Sequence, residues 1–154
     1  MSAVEWMLRG KDANRARTAL SADERKYLAL LSDYCLLAEL ADPQGALTGE
    51  EFMVDGVDFR LIYAPEQQPD ILGIWCDVGD VPEDREAQCY RDLLHANVTR
   101  YDGVSPVMAL CEETGMVMCC ARLPVQALTA TVLHQMIGAM ATDARQWQRA
   151  MWEN

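Results

Sequence analysis

The chain has little on which to build catalytic chemistry. Its 154 residues include only two histidines, His95 near a helix end and His134 within a helix, and neither lies in a recognisable motif. No G-x-S-x-G, P-loop or G-x-G-x-x-G run occurs, which removes the usual signatures of nucleophilic hydrolysis and of nucleotide binding. Carboxylates are abundant, but none falls in a pattern that predicts paired acid and base work. No stretch of about 18 apolar residues is present, so no transmembrane helix is expected. The segment Met1-Ser2-Ala3-Val4-Glu5-Trp6 lacks the charged-then-apolar pattern of a signal peptide, and a cytoplasmic protein is expected.

Positive charge is also scarce. Thirteen Lys and Arg face twenty-four Asp and Glu, for a net charge of −11. The imbalance is uneven, because residues 1–20 carry Arg9, Lys11, Arg15 and Arg17 against Glu5 and Asp12. Residues 21–154 therefore hold −13. A body this acidic repels phosphate backbones, so a nucleic-acid partner is not expected. It favours solubility and basic partners.

Six cysteines are present, at positions 35, 76, 89, 111, 119 and 120, and none forms a C-x-x-C pair. The spacing of a structural zinc site is missing, and no metal or cofactor is expected. Most of the six sit in apolar runs and read as small buried hydrophobes in a reducing compartment.

What is present is an α+β pattern in one domain, with 51% hydrophobic residues to build its core. Residues 1–20 are poorly patterned, with a short helical stretch around Trp6-Met7-Leu8. Ser21-Ala22-Asp23-Glu24 fits a capping box, and a helix should follow to about Leu40. Its apolar residues, from Tyr27 to Leu40, form a face wider than one core stripe requires. Asp42-Pro43-Gln44-Gly45 should end it.

Strand signals come next. Phe52-Met53-Val54 and the run from Val57 to Tyr63 flank an Asp55-Gly56 hairpin turn. Pro65 to Pro69 reads as a loop, and Ile71 to Val78 as a third strand that is apolar on both faces. Asp80-Val81-Pro82-Glu83 should open a second helix, with Asp80 as its cap. That helix has two apolar stripes, one of Ala87, Tyr90 and Leu94, the other of Cys89, Leu93 and Ala96. One stripe serves the sheet and the second is free for another subunit. Cys89, Leu93 and Ala96 are the expected dimer contacts. Val104 to Cys111 and Met116 to Leu123 should form a hairpin turning at Glu113-Thr114-Gly115. After Pro124 a helix should run to about Trp152.

The order is therefore helix, three strands, helix, two strands, helix, with a twisted, mostly antiparallel sheet packed against helices. Over about residues 22–152 this resembles the class I type III secretion chaperones, the Tir-chaperone-like family. The best local matches are Val57-Asp58-Phe59-Arg60-Leu61-Ile62, Leu93-Leu94-His95-Ala96-Asn97, the turn Thr114-Gly115, and Arg122-Leu123-Pro124 ahead of a helix holding Trp147. The resemblance implies a cytoplasmic homodimer with no enzymatic activity. It implies binding of an extended N-terminal segment of a secreted effector, kept secretion-competent and delivered to the export apparatus and its ATPase. An extended peptide can add to a sheet edge while apolar pockets take its side chains. Leu30 and Leu37 on the first helix, with Ile62 and Trp75 on the sheet, are the expected effector contacts. Residues 1–20 depart from the family pattern, whose members reach their first helix sooner, and read as an extension to a domain of residues 21–154. Two other readings remain open from sequence: a domain resembling the YbjN group, of the same fold but unconnected with secretion, and a thiol-based sensor.

Overall fold

The computed structural model describes residues 19–100 and 102–153. The Trp6 segment and the four basic residues of the N-terminal stretch lie outside them. Helix α1 spans Ala22–Ala38, and Ser21 caps it as the sequence predicts. The Glu24 amide donates to the Ser21 hydroxyl at 3.1 Å, and the Ser21 amide donates to the Glu24 carboxylate at 2.8 Å. The helix stops two residues earlier than expected, where Glu39 turns left-handed at φ 49°.

A short helix α2, Gln44–Thr48, follows where only a helix stop was expected. Gly45 makes it possible. A Cβ there would stand 2.0 Å from the Glu51 carbonyl oxygen, so only glycine admits this approach of backbone to backbone. Strands β1 (Phe52–Val54) and β2 (Val57–Tyr63) are joined by Asp55 and Gly56, both at positive φ, as a tight hairpin with the sheet's own twist demands. Strand β3 spans Ile71–Gly79.

A single 3-10 turn, Glu83–Arg85, then leads into α3, Glu86–Thr99. Asp80 is too far upstream to cap α3, whose first turn has no side-chain cap. The hairpin expected next has a shorter first arm, β4 at Val107–Leu110, and a second arm displaced by one residue, β5 at Val117–Pro124, with Gly115 at φ 71° in its turn. A second 3-10 turn, Val125–Ala127, precedes α4, Ala130–Trp152, which Thr129 caps by accepting from the Val132 amide.

The five strands form one antiparallel sheet in the order β1-β2-β3-β5-β4. Alternation assigns each side chain to a face. Val57, Phe59 and Leu61 point inward with Leu72, Ile74, Cys76 and Val78, and with Val117, Cys119, Ala121 and Leu123. Against them pack Tyr27, Leu30, Leu31 and Tyr34 of α1 and Leu133, Ile137, Met140, Ala141 and Ala144 of α4. The stripe on α1 follows i, i+3, i+4, i+7, a single helical face.

Helix α3 is fixed to the edge strand by Asn97. Its side chain accepts from the Met108 amide at 2.8 Å and donates to the Met108 carbonyl at 2.9 Å. An Arg100–Asp143 ion pair at 2.7 Å ties the end of α3 to α4.

Candidate functional site

The helices cover one face of the sheet, and the other face carries a groove of about 380 Å³. Its floor is Gly73. A Cβ built there would meet the Ile62 Cβ and the Trp75 Nε1, each at 3.5 Å, so the missing side chain is what leaves the space open. Ile62 lies across from Gly73 on β2, and Arg122 lies across from it on β5. Ala64, Gln67, Gln68 and Ile71 complete the lining from the β2–β3 connection and the start of β3. Arg122 donates to the Gln68 side-chain oxygen, which holds the guanidinium at the rim.

Beyond Trp75 the same face turns acidic. Glu51, Asp58 and Asp77 surround Arg60, whose guanidinium pairs with Glu51 at 2.5 Å. Partial burial raises the Asp77 carboxyl above its ordinary value, and the charges of Glu51 and Asp58 raise it further, while Arg60 offsets part of the rise.

Two of the four expected effector contacts, Ile62 and Trp75, thus meet in one groove, and both are half-buried. The two on α1 are not part of it. Leu30 is 5% exposed and belongs to the core, whereas Leu37 is 47% exposed. Seven residues at 100° each bring two side chains only roughly to one side, and these two fall on opposite sides of the boundary between core and solvent. Gly73, Ile71, Gln68 and Arg122 escaped the sequence reading. A glycine inside an otherwise apolar strand was the available signal for the first.

The stripes of α3 are exchanged relative to expectation. Cys89 and Leu93 are 7% and 6% exposed and pack into the domain's own core. Ala96 is half-buried. Leu94 and Val98, one turn apart, are 68% and 74% exposed, and Val107 and Leu110 of the edge strand β4 are exposed as well. The contact of Asn97 with β4 fixes this rotation, because it turns the side chains at 89, 93 and 97 inward together.

Two of the six thiols, Cys76 and Cys120, are held in the protonated form. Cys76 and Cys119 face each other across β3 and β5, and hydrogen bonding to Cys119 together with burial pushes the Cys76 thiol up. Burial raises Cys120 to about 12. At neutral pH neither thiol is a nucleophile. Cys111, at the β4–β5 turn, is instead lowered by hydrogen bonding with Thr114. Among the described residues no group of three or more His, Cys, Asp or Glu is placed to hold a metal ion.

A five-stranded antiparallel sheet with helices on one face is the architecture of the small chaperones seen in type III secretion complexes. The chain belongs to the Tir chaperone protein (CesT) family, whose profile matches residues 50–148. Three solved structures share the fold. The HopA1–SchA chaperone–effector complex contains a chain 16% identical, with a TM-score of 0.63 over 84% of this chain and 98% of that one. The ExsC–ExsE complex gives 20% identity and a TM-score of 0.57 over 79% and 95% of the two chains. The Yersinia pestis type III secretion chaperone SycH, in complex with a fragment of YscM2, gives 15% and 0.57 over 79% and 98%. No curated protein matches the chain in sequence.

Proposed function

We propose that this chain is a cytoplasmic type III secretion chaperone that works as a homodimer. It binds an unfolded N-terminal segment of a secreted effector, keeps that segment export-competent and presents it to the secretion ATPase. The reading rests on membership of the CesT family. The observation that carries it beyond the family is the groove floored by Gly73 between Ile62 and Trp75. A groove of this size takes one or two apolar side chains, which suits spaced anchors on a non-globular chain better than a folded surface.

No catalytic step is assigned. The polar groups at the groove, Gln67, Gln68 and Arg122, can orient a ligand by hydrogen bonds, and no nucleophile paired with a base lies beside them. For the dimer, the exposed Leu94 and Val98 of α3, with the exposed Leu110 on the helix side of the edge strand, offer an apolar surface, while Val107 points to the opposite face of β4. A two-fold axis through it would cover this surface on both copies and bring the open edge of β4 under protein. Among the described residues no helix is long and apolar enough to cross a membrane.

Purification of the chain from its native host, with identification of bound proteins, tests the reading. The expected companion is a secreted protein whose N-terminal segment is protected from protease only in the complex. A chain that purifies alone, or with partners that are never exported, would count against it.

A further inference from the structure

Resting on the chaperone reading above, we infer that the outer-face groove reads the order of charges along its ligand. Its occupant is an extended peptide segment with an apolar side chain over Gly73, an acidic side chain beside Arg122, and a basic side chain near Asp58 and Asp77.

The warrant is the arrangement of charge around one apolar floor. Arg122 is the cross-strand neighbour of Gly73, so a cation borders the anchor position directly. Asp77 lies four residues further along β3 on the same face. At about 3.3 Å per residue, the anchor and acidic ends are roughly 13 Å apart, four residues of extended chain. Trp75 stands between them as an apolar divider lining both regions. At the far end three carboxylates, Glu51, Asp58 and Asp77, lie beside Arg60, whose guanidinium pairs with Glu51. Glu51 and Asp58 are exposed and Asp77 is partly buried, and the surplus negative charge favours a second cation there and repels an acid. A ligand laid over this face therefore meets a fixed gradient, positive at the anchor and negative beyond Trp75. The gradient is local, and so differs from the general attraction of an acidic body for basic chains.

Two synthetic peptides of identical composition and zero net side-chain charge separate these effects: Glu-Ser-Leu-Ser-Gly-Ser-Arg and Arg-Ser-Leu-Ser-Gly-Ser-Glu, both with blocked ends. Alternate residues share a face in an extended chain, so acid, leucine and base lie on one face of each peptide. Only the first sets its base four residues from the leucine and its acid two. The second, even laid in reverse, exchanges these spacings and cannot match the anchor and both charges together. Each is titrated into the full-length protein while amide and indole signals are followed by NMR. The first peptide is expected to shift Gly73, the Trp75 indole and Asp77, and to bind about five-fold to ten-fold more tightly than the second, as two or three partly exposed ion pairs allow. Replacing both Asp58→Asn and Asp77→Asn should reduce the preference below about two-fold, with Arg122→Gln as the independent test from the other end. Equal affinities with shifts at the groove would overturn the charge reading and leave the groove itself as an apolar site. Shifts confined to other surfaces, or a groove whose signals change only with protein concentration, would overturn both and assign this face elsewhere.

Discussion

Gly73 and Trp75 share the outer face of β3, and the indole Nε1 stands 3.5 Å from where a Cβ on Gly73 would be. The relationship makes a testable difference between fold and binding. The Gly73 backbone is an ordinary strand, and a side chain there would extend into the groove and not into the core. Gly73→Leu should fold with a stability within about 1 kcal/mol of the parent, because strand glycine is itself disfavoured by about 0.5–1 kcal/mol. Affinity for an unfolded effector segment should fall at least about ten-fold. Urea unfolding and peptide titration on the same variant check the two halves separately.

Leu93 and Leu94 are adjacent in sequence but opposite in role. Leu93→Asp places a charge in the core and should destabilise the subunit by several kcal/mol, so it would aggregate or unfold before it reported on a dimer. Leu94→Asp should leave the circular dichroism spectrum unchanged and shift sedimentation from dimer to monomer, since a symmetric interface meets the substitution twice. A Leu94→Asp protein that still sediments as a dimer would place the interface elsewhere.

On α1 the contrast lies between Leu30 and Leu37. Leu30→Ala should cost about 2–5 kcal/mol, the range for a buried leucine that leaves a cavity. Leu37→Ala should change stability by no more than about 0.5 kcal/mol. Denaturant midpoints at constant slope give both values.

Asp77 gives the acidic end of the groove a pH dependence. Burial and the neighbouring carboxylates raise its pKa in the folded state, so the folded protein holds the proton to higher pH than the unfolded chain. This contribution favours the folded state in acid and is lost as pH rises from the unfolded carboxylate value of about 3.9 through the folded one. Asp77→Asn removes the loss. The variant should be more stable than the parent at pH 7, by a margin that narrows as pH falls below the carboxylate range, as paired unfolding curves would record.

Much of the architecture is written locally. The Ser21 capping box, the Asp55-Gly56 turn and the alternation from Val57 to Tyr63 each act through neighbours in sequence, and each appears where the pattern puts it. The short helix α2 was hidden because it depends on a backbone approach between Gly45 and Glu51 that spacing does not reveal. Both stripes of α3 were visible, but their assignment needed the contact of Asn97 with Met108, a partner eleven residues away. The site was half legible for a similar reason. Ile62 stood out as an apolar residue on a polar strand face, whereas Gly73 and Arg122 acquire meaning only once β2, β3 and β5 are placed side by side.

The central claim is that this face holds an unfolded segment of an exported protein. A photo-activatable cross-linking residue introduced at Ile62, with a second chain carrying it at the exposed Asp33 as a control, tests it in the native host. Irradiation should trap one protein at position 62 and not at position 33, and mass spectrometry should map the join to an N-terminal segment of a secreted effector. Equal labelling at both positions, or adducts only to folded domains of proteins that are not exported, would contradict it.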